Sequence, residues 1–194
     1  MSISVYIDSC AWNYLYNNKI NLEIELPPNE FSIFITSEVE IELHAIPNTG
    51  SDETDKRELK TYINNSINKY PVATSAVFGF MTVEPDGTPS PVQVHGGFGS
   101  GAFQSNEERN FYERPEVAKQ LHSGKKSNSG LGKNEADASL AAKSFSSFVL
   151  TNERIKKPGP LRTASQLGGK VIYLEDEIKP TGKKIGDYLL SIIE

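Results

Sequence analysis

The chain has 194 residues, of which 37% are hydrophobic, and a net charge of −5. This length can bury one sizeable core, so we expect a single domain over residues 1–194. No apolar run approaches the roughly 18 residues that a membrane span needs, and the N-terminus lacks a cleavable signal pattern, so we expect a cytoplasmic protein without a membrane segment. Cys10 is the only cysteine and there are three histidines without an HExxH pattern, which argues against disulfides and zinc sites.

The first part of the chain alternates strand and helix patterns. Alternating apolar residues predict a strand at about 3–8, and a helix at about 10–18 follows it. A β-rich run at 31–36 leads into a second helix, SEVEIELHAI, for which we expect Ser37 to be the N-cap. The next helix is predicted to be capped near Ser51.

Residues 71–132 do not follow the strand–helix alternation of the preceding segments, and we interpret them as an insert within the domain. Two strand-like stretches flank the turn sequence PDGTP and predict a β-hairpin. A glycine-rich loop, a helix that restarts near Pro115 and a basic loop at 124–133 follow. Aromatic residues of the insert could stack RNA bases or form the buried face of a strand; they are Phe78, Phe80, Phe98 and Phe103.

After the insert the alternation resumes. NEADASLAAKSF is predicted to be helical, SFVLTN to be a strand, and PLRTASQLG to be a helix that ends at Gly168. KVIYL is the last predicted strand, and GKKIGDYLLSII is a terminal helix. This order predicts an α/β fold with a mainly parallel central sheet.

Four acidic residues lie at strand ends or on helices that follow strands: Asp8, Glu42, Asp137 and Glu153. Ligand sites of open α/β sheets collect at the carboxyl ends of the strands, so we expect Asp8 and Glu153 to meet there. Carboxylates gathered at one edge repel one another unless a cation lies between them, and Mg²⁺ or Mn²⁺ prefers such oxygen ligands. The pattern therefore predicts a metal site of the phosphodiesterase type.

Three of these acids have a simpler interpretation that the sequence leaves open. Asp8 could cap the helix that follows it, and Glu42 could be a solvated surface charge next to Glu38 on the same helical face. Asp137 could form a capping box with Asn134.

The charge distribution favours a phosphate-bearing partner. Residues 114–170 contain eleven Lys and Arg against four Asp and Glu, although the whole chain is acidic. A cation bound at the acids would leave a positive surface there, although a scatter of solvated lysines would have the same composition. We predict that Thr151 and Asn152 support the site by orienting a metal-bound water, although they could simply form the turn after the strand. The predicted substrate-binding residues are Lys125, Lys126, Lys133, Arg154, Lys156 and Lys157.

Four segments in this order resemble the PIN domain family of metal-dependent ribonucleases. They are IDSCAWNYL at 7–15, ITSEVEIEL at 35–43, KNEADASLAA at 133–142 and VLTNE at 149–153. The resemblance implies a three-layer α/β/α fold and a catalytic metal site. Glu153 stands where the family usually has aspartate, and the stretch before Asp137 is longer and richer in glycine than the family pattern.

The resemblance implies a divalent-metal-dependent endoribonuclease that cleaves single-stranded RNA, with Asp8, Glu42, Asp137 and Glu153 as catalytic ligands of Mg²⁺ or Mn²⁺. A metal would lower the pKa of its bound water and supply the nucleophile. Small proteins of this family are commonly toxins, so an antitoxin protein and a second copy of the chain are candidate partners. DNA stays open as a substrate.

Two other functions stay open from the sequence. A non-catalytic PIN-like module could bind RNA or a protein, with its metal site degraded by the change to Glu153. A phosphotransferase resembling the haloacid dehalogenase-like enzymes would use Asp8 as a covalent nucleophile. Those enzymes need a second aspartate two residues later, where this chain has Cys10.

Overall fold

The computed structural model of the chain describes residues 2–50, 55–78, 95–96, 101–122 and 129–193. Its strands are β1 (Ile3–Ile7), β2 (Phe31–Thr36), β3 (Ala73–Phe78), β4 (His95–Gly96), β5 (Gly101–Ala102), β6 (Phe148–Thr151) and β7 (Val171–Tyr173). Its α-helices are α1 (Ala11–Asn17), α2 (Leu22–Glu25), α3 (Ser37–His44), α4 (Arg57–Lys69), α5 (Asn106–Tyr112), α6 (Pro115–His122), α7 (Glu135–Lys143), α8 (Pro160–Gln166) and α9 (Ile185–Ser191).

The strands form one sheet in the order β4-β3-β2-β1-β6-β7, and β5 also pairs with β3. Every pairing between these strands is parallel. One group of helices packs around α7, which contacts α3, α5, α6 and α8, while α1 packs against α4 in the other group. The predicted three-layer α/β/α fold with a central parallel sheet is confirmed.

The centre of the sheet explains where a site can form. Val5 and Ile7 of β1, and Val149 and Leu150 of β6, are fully buried, as expected for parallel strands covered by helices on both faces. The chain leaves β1 towards β2 on one side and returns later to β6 on the other. This reversal of strand order opens a crevice at the carboxyl ends of the two strands.

Two predicted helix starts differ from the structure. Thr36, not Ser37, is the N-cap of α3, and its Oγ1 accepts a hydrogen bond from the Val39 N–H at 3.3 Å. Asn134 does not form a capping box, because its backbone is left-handed (φ 64°) and its side-chain amide donates to the Gln120 carbonyl at 3.0 Å. Ser51 lies outside the described residues.

The segment predicted to be an insert is partly built into the sheet. Its first strand, β3, pairs with β2, and its helix restarts at Pro115 as predicted. The turn of the predicted hairpin lies outside the described residues. Val77 and Phe78, at the described end of its first strand, pair in parallel with His95 and Gly96, whereas a hairpin pairs its strands antiparallel.

Several smaller features of the structure can be compared with the sequence predictions. Gly168 has a left-handed backbone (φ 90°) just after α8, as a helix-ending glycine should. The short helix α2 and the π-helical turn Leu174–Ile178 were not predicted. Phe78 and Phe103 form an edge-to-face pair with ring centroids 5.1 Å apart, while Phe80 and Phe98 lie outside the described residues.

Across the described part of the chain, no helix has the length and apolar character that crossing a membrane requires.

Candidate functional site

Asp8 is held between the two central strands of the sheet. Its backbone N–H donates to the Leu150 carbonyl of β6 at 3.0 Å, and its side chain is only 2% exposed. One carboxylate oxygen, Oδ2, accepts hydrogen bonds from Thr151 Oγ1 at 2.6 Å and from Cys10 Sγ at 2.9 Å. Cys10 occupies the N-cap position of α1, so the interpretation of Asp8 as the cap of that helix is wrong.

Glu42 reaches the same sheet edge from α3. The Ser9 hydroxyl donates to Glu42 Oε2 at 2.6 Å and lies 3.4 Å from Asp8 Oδ1. Ser9 therefore connects the carboxylate that follows β1, Asp8, with the carboxylate of α3, Glu42. Burial, with the nearby charge of Asp8, raises the pKa of Glu42, although the Ser9 hydrogen bond and Lys157 lower it.

Asp137 lies in the first turn of α7 and completes an acidic cluster, which we define as Asp8, Glu42 and Asp137. Burial and the charge of Asp8 raise the pKa of Asp137 to about 7, and Glu42 adds to this effect. The positive charge of Lys157 opposes it. The three carboxylates come from three separate parts of the chain, yet their charges act on one another, so they form one electrostatic unit.

Glu153, the fourth predicted ligand, is engaged by a cation of its own loop. Its backbone N–H donates to Thr151 Oγ1 at 3.1 Å, which places it next to the residue that orients Asp8. Its carboxylate forms an ion pair with Lys157. Glu153 therefore borders the acidic cluster through Thr151 and Lys157.

Asn152 adds an oxygen without a hydrogen-bond partner. Its Oδ1 is buried and accepts no hydrogen bond from the described residues, while its backbone N–H donates to Cys10 Sγ at 3.2 Å. A carboxamide oxygen is a donor that Mg²⁺ or Mn²⁺ accepts.

The chemistry of these donors fits a hard divalent cation, but their present spacing does not form a finished binding site. Within the described ranges, no three His, Cys, Asp or Glu side chains are arranged so that they could hold a metal ion. Ser9 holds Glu42, and Thr151 with Cys10 holds Asp8. The carboxylates are therefore held by separate hydrogen bonds and are not arranged as one set of metal ligands.

The predicted substrate-binding residues divide into four groups. Lys157 acts on the acidic cluster, as described above. Arg154 instead pairs with Asp176, with 2.8 Å between Nη1 and Oδ1. Lys133 and Lys156 are exposed. Lys125 and Lys126 lie outside the described residues.

A cleft of about 410 Å³ borders the acidic cluster, and Ser9, Cys10 and Glu42 are among the residues that line it. Lys56 and Leu59, from the start of α4, line another part of it. Sequence reasoning missed Ser9 and Cys10 as partners of the carboxylates. The available signal was their position directly after Asp8 at the end of a strand.

Comparison with known proteins gave no match to a family model, to a curated protein or to a solved structure.

Proposed function

We propose that the protein is a divalent-metal-dependent endoribonuclease that hydrolyses phosphodiester bonds of single-stranded RNA. The observation that carries this proposal is the acidic cluster at the carboxyl ends of β1 and β6. Charged groups whose pKa values are raised by burial and by one another are typical of functional sites. Carboxylates that a chain only partly neutralises with its own cations are suited to bind the cations that assist phosphodiester hydrolysis.

In this proposal Asp8, Glu42 and Asp137 would hold Mg²⁺ or Mn²⁺, with Asn152 Oδ1 and Glu153 as further oxygen donors. When bound, such a cation supplies Lewis-acid chemistry at the phosphoryl group. Thr151 and Cys10 fix the orientation of the Asp8 carboxylate, and Ser9 fixes that of Glu42. The residues proposed to bind phosphate carry positive charge instead: Lys125, Lys126, Lys133, Arg154, Lys156 and Lys157.

The resemblance of four sequence segments to the PIN domain family supports the same activity. It also supports the narrower proposal that the protein is a toxin of a toxin–antitoxin pair in the cytoplasm, with an antitoxin as its partner. Co-purification with the product of a neighbouring reading frame would test this narrower proposal independently of catalysis.

The activity is tested by incubating the protein with single-stranded RNA in Mg²⁺ or Mn²⁺, and then with EDTA. Cleavage should depend on the cation, and Asp8→Asn and Asp137→Asn should each lower the rate by about 100-fold or more, beyond the 10–100-fold typical of residues that only support a metal ligand. Both changes preserve side-chain shape. Asp187→Asn is the matched control, because Asp187 is exposed on α9 and should leave the rate unchanged.

Retention of full activity by Asp8→Asn would contradict the site assignment. Inactive variants whose melting temperatures are no lower than that of the wild type would separate the chemistry from the fold. Single-stranded DNA of the same sequence, tested in parallel, decides the substrate class.

One observation favours a second candidate, a PIN-like module that binds RNA or a protein without catalysis. The ion pair with Lys157 engages the Glu153 carboxylate, so the fourth acid already has a cation. A binding module would retain its RNA affinity in EDTA and show no turnover at millimolar Mn²⁺, which distinguishes it from the nuclease.

A further inference from the structure

The cleft beside the acidic cluster is lined by more than the cluster and its hydrogen-bond partners. Its lining includes Asn13 of α1 and Lys56, which immediately precedes α4. Apolar side chains form much of the rest: Ala45, Ile46 and Pro47, which follow α3, and Leu59 of α4. The cleft volume of about 410 Å³ lies within the range of about 300–1,000 Å³ that is typical of small-molecule sites. The cleft can therefore admit a ligand of the size of one nucleotide.

Hydrogen bonds fix the segment after α3 to the start of α4, so the two sides of the cleft have a defined relative position. The Lys56 N–H donates to the Asn48 carbonyl at 2.8 Å, and Lys60 Nζ donates to Asn48 Oδ1 at 3.1 Å. Thr49 and Asp55 form an antiparallel bridge close to these contacts in sequence. A preformed cleft of this kind is what most ligand sites have in common.

Lys56 is a half-buried cation that the chain does not neutralise. None of the ion pairs among the described residues includes it. The two acids nearest to it in sequence have other partners, since Asp55 pairs with Arg57 and Glu58 accepts a hydrogen bond from the Tyr16 hydroxyl at 2.7 Å. Lys56 is also the N-cap residue of α4, where the positive end of the helix disfavours a cation. An anionic ligand would supply the partner that the chain does not.

One unpaired nucleotide of a strand matches this lining. The apolar side can cover its base or sugar, and the Asn13 carboxamide offers a donor and an acceptor to the edge of a base. A strand also has a phosphate on each side of every internal nucleotide, so a phosphate at the acidic cluster is followed by a second one that Lys56 can bind. Bases are free to enter such a cleft only where they are unpaired and unstacked.

We propose that this cleft is a subsite for one unpaired nucleotide of the RNA, and that Lys56 binds the phosphate next to the one at the acidic cluster. This inference rests on the proposed function, which puts an RNA phosphate at the cluster. It adds to the predicted substrate-binding residues a lysine that sequence reasoning missed. Lys56 holds the strand in this arrangement and takes no part in the cleavage of the bond.

The experiment uses two changes within the cleft and one outside it. Lys56→Met keeps the apolar stem and removes the charge, whereas Ala45→Phe fills part of the cleft and leaves the charge unchanged. Lys19→Met is the matched control, because Lys19 is exposed beyond the C-terminal end of α1 and does not line the cleft. Fluorescence anisotropy of a short labelled single-stranded RNA, in EDTA and at several salt concentrations, measures affinity without cleavage.

Lys56→Met should weaken RNA binding about fivefold, as the loss of one hydrogen bond to a charged group does. It should also lower the slope of log affinity against log salt by about 0.7, the contribution of one single-strand phosphate contact. Ala45→Phe should weaken binding at least as much, and the double variant should bind as Ala45→Phe alone does, because a filled cleft already keeps the phosphate from Lys56. Binding of a duplex RNA of the same sequence should be equal in the wild type and Ala45→Phe.

Three results would overturn the inference. The first is a Lys56→Met protein with the affinity and slope of Lys19→Met, and the second is additive effects of the two cleft changes, which would mean that they act at independent places. The third is an equal loss of duplex binding in Ala45→Phe. If Ala45→Phe melts at a lower temperature than the wild type, Asn13→Trp replaces it, because Asn13 is exposed and a larger side chain there fills the cleft from α1.

Cleavage assays in Mn²⁺ separate this inference from the proposed function. A raised KM in Lys56→Met with a turnover number close to that of the wild type would support both. Wild-type cleavage with an unchanged KM in Lys56→Met would reject the subsite and leave the nuclease. RNA binding that depends on Lys56, in a protein that cleaves no RNA, would reject the nuclease and leave the subsite. A wild type that neither binds nor cleaves RNA would overturn both.

Discussion

The two ends of α7 carry charges with opposite surroundings. At its C-terminal end, Lys143 is 8% exposed and its Nζ lies 3.0 Å from Glu108 Oε1 of α5. At its N-terminal end, Asp137 faces Asp8 and Glu42, and its pKa is raised to about 7 by burial and by their charges. One charge has a partner within the chain, and the other adds to a surplus of the same sign.

This difference separates a structural charge from a candidate functional one. A buried ion pair fixes how two helices pack, and the loss of either partner leaves an uncompensated buried charge. A group of like charges raises the free energy of the folded chain, so its presence is better explained by a ligand of opposite charge. The two ends of α7 should therefore respond in opposite directions when their charges are removed.

The largest effect is expected at the structural end. Lys143→Met should lower the free energy of unfolding by about 3–5 kcal/mol, because it leaves Glu108 buried without its cation. Urea unfolding at neutral pH measures this loss. The variant should bind Mn²⁺ as the wild type does, once it is folded.

A second variant keeps this prediction testable if Lys143→Met does not fold. The double change Lys143→Met with Glu108→Gln removes both charges and should recover much of the lost stability, since a neutral pair needs no counter-ion. A double variant that is less stable than Lys143→Met alone would contradict the assignment of the pair.

A smaller effect of the opposite sign is expected at the N-terminal end. The pKa of Asp137 is about 7 in the folded chain, above its ordinary value of 3.8. Between these values the unfolded carboxyl is ionised and the folded one is protonated, so wild-type stability falls as the pH rises from about 4 to about 7 and then levels off. Asp137→Asn cannot ionise and should escape this fall.

In EDTA, Asp137→Asn should match the wild type near pH 4 and exceed its free energy of unfolding by about 1–3 kcal/mol at pH 8. This is below the full linkage value, because the carboxylates can relax apart. Denaturant unfolding at a series of pH values, with Asp187→Asn as the control, measures the difference. A variant that is less stable than the wild type at pH 8 would show that Asp137 is a structural charge like Lys143.

Much of the fold was predictable because its signals are local. The buried apolar runs of β1 and β6 and the helix that ends before Gly168 follow directly from residue patterns. The predicted N-cap of α3, Ser37, was wrong by one position. Thr36 and Ser37 are both good N-cap residues, and the extended backbone at Thr36 makes it the cap. The π-helical turn after β7 has no comparable local signal, and the parallel pairing of β3 with β4 depends on tertiary contacts.

The acids of the candidate site could be chosen from the sequence, but the side chains that form hydrogen bonds or ion pairs with them could not. Asp8, Glu42 and Asp137 come together because parallel strands and the helices that follow them place residues at one edge. Whether each charge is paired depends on side chains that are distant in sequence or flexible. Arg154 and Lys157 look equivalent in the sequence, yet one pairs with Asp176 and the other acts on the acidic cluster.

The smallest effect is expected from the basic loop that leads into the N-terminal end of α7. If the surplus negative charge there binds a cation that in turn attracts phosphate, then cations of the loop should contact the RNA backbone. Changing Lys125, Lys126 and Lys133 to alanine should raise KM several-fold and lower the slope of log affinity against log salt by about 2, since each single-strand phosphate contact contributes about 0.7. The turnover number should change much less, because these residues do not belong to the acidic cluster.

The matched control changes three exposed lysines around the start of α9 to alanine: Lys179, Lys183 and Lys184. This control lowers the net charge by the same amount, so a general loss of electrostatic attraction would weaken RNA binding equally in both variants. An RNA-binding assay over a range of salt concentrations measures the two slopes. Equal slopes would mean that the loop makes no specific phosphate contacts and that the N-terminal end of α7 binds its ligand without the loop. A reduced slope in the loop variant alone would show that the functional region includes the residues that precede α7.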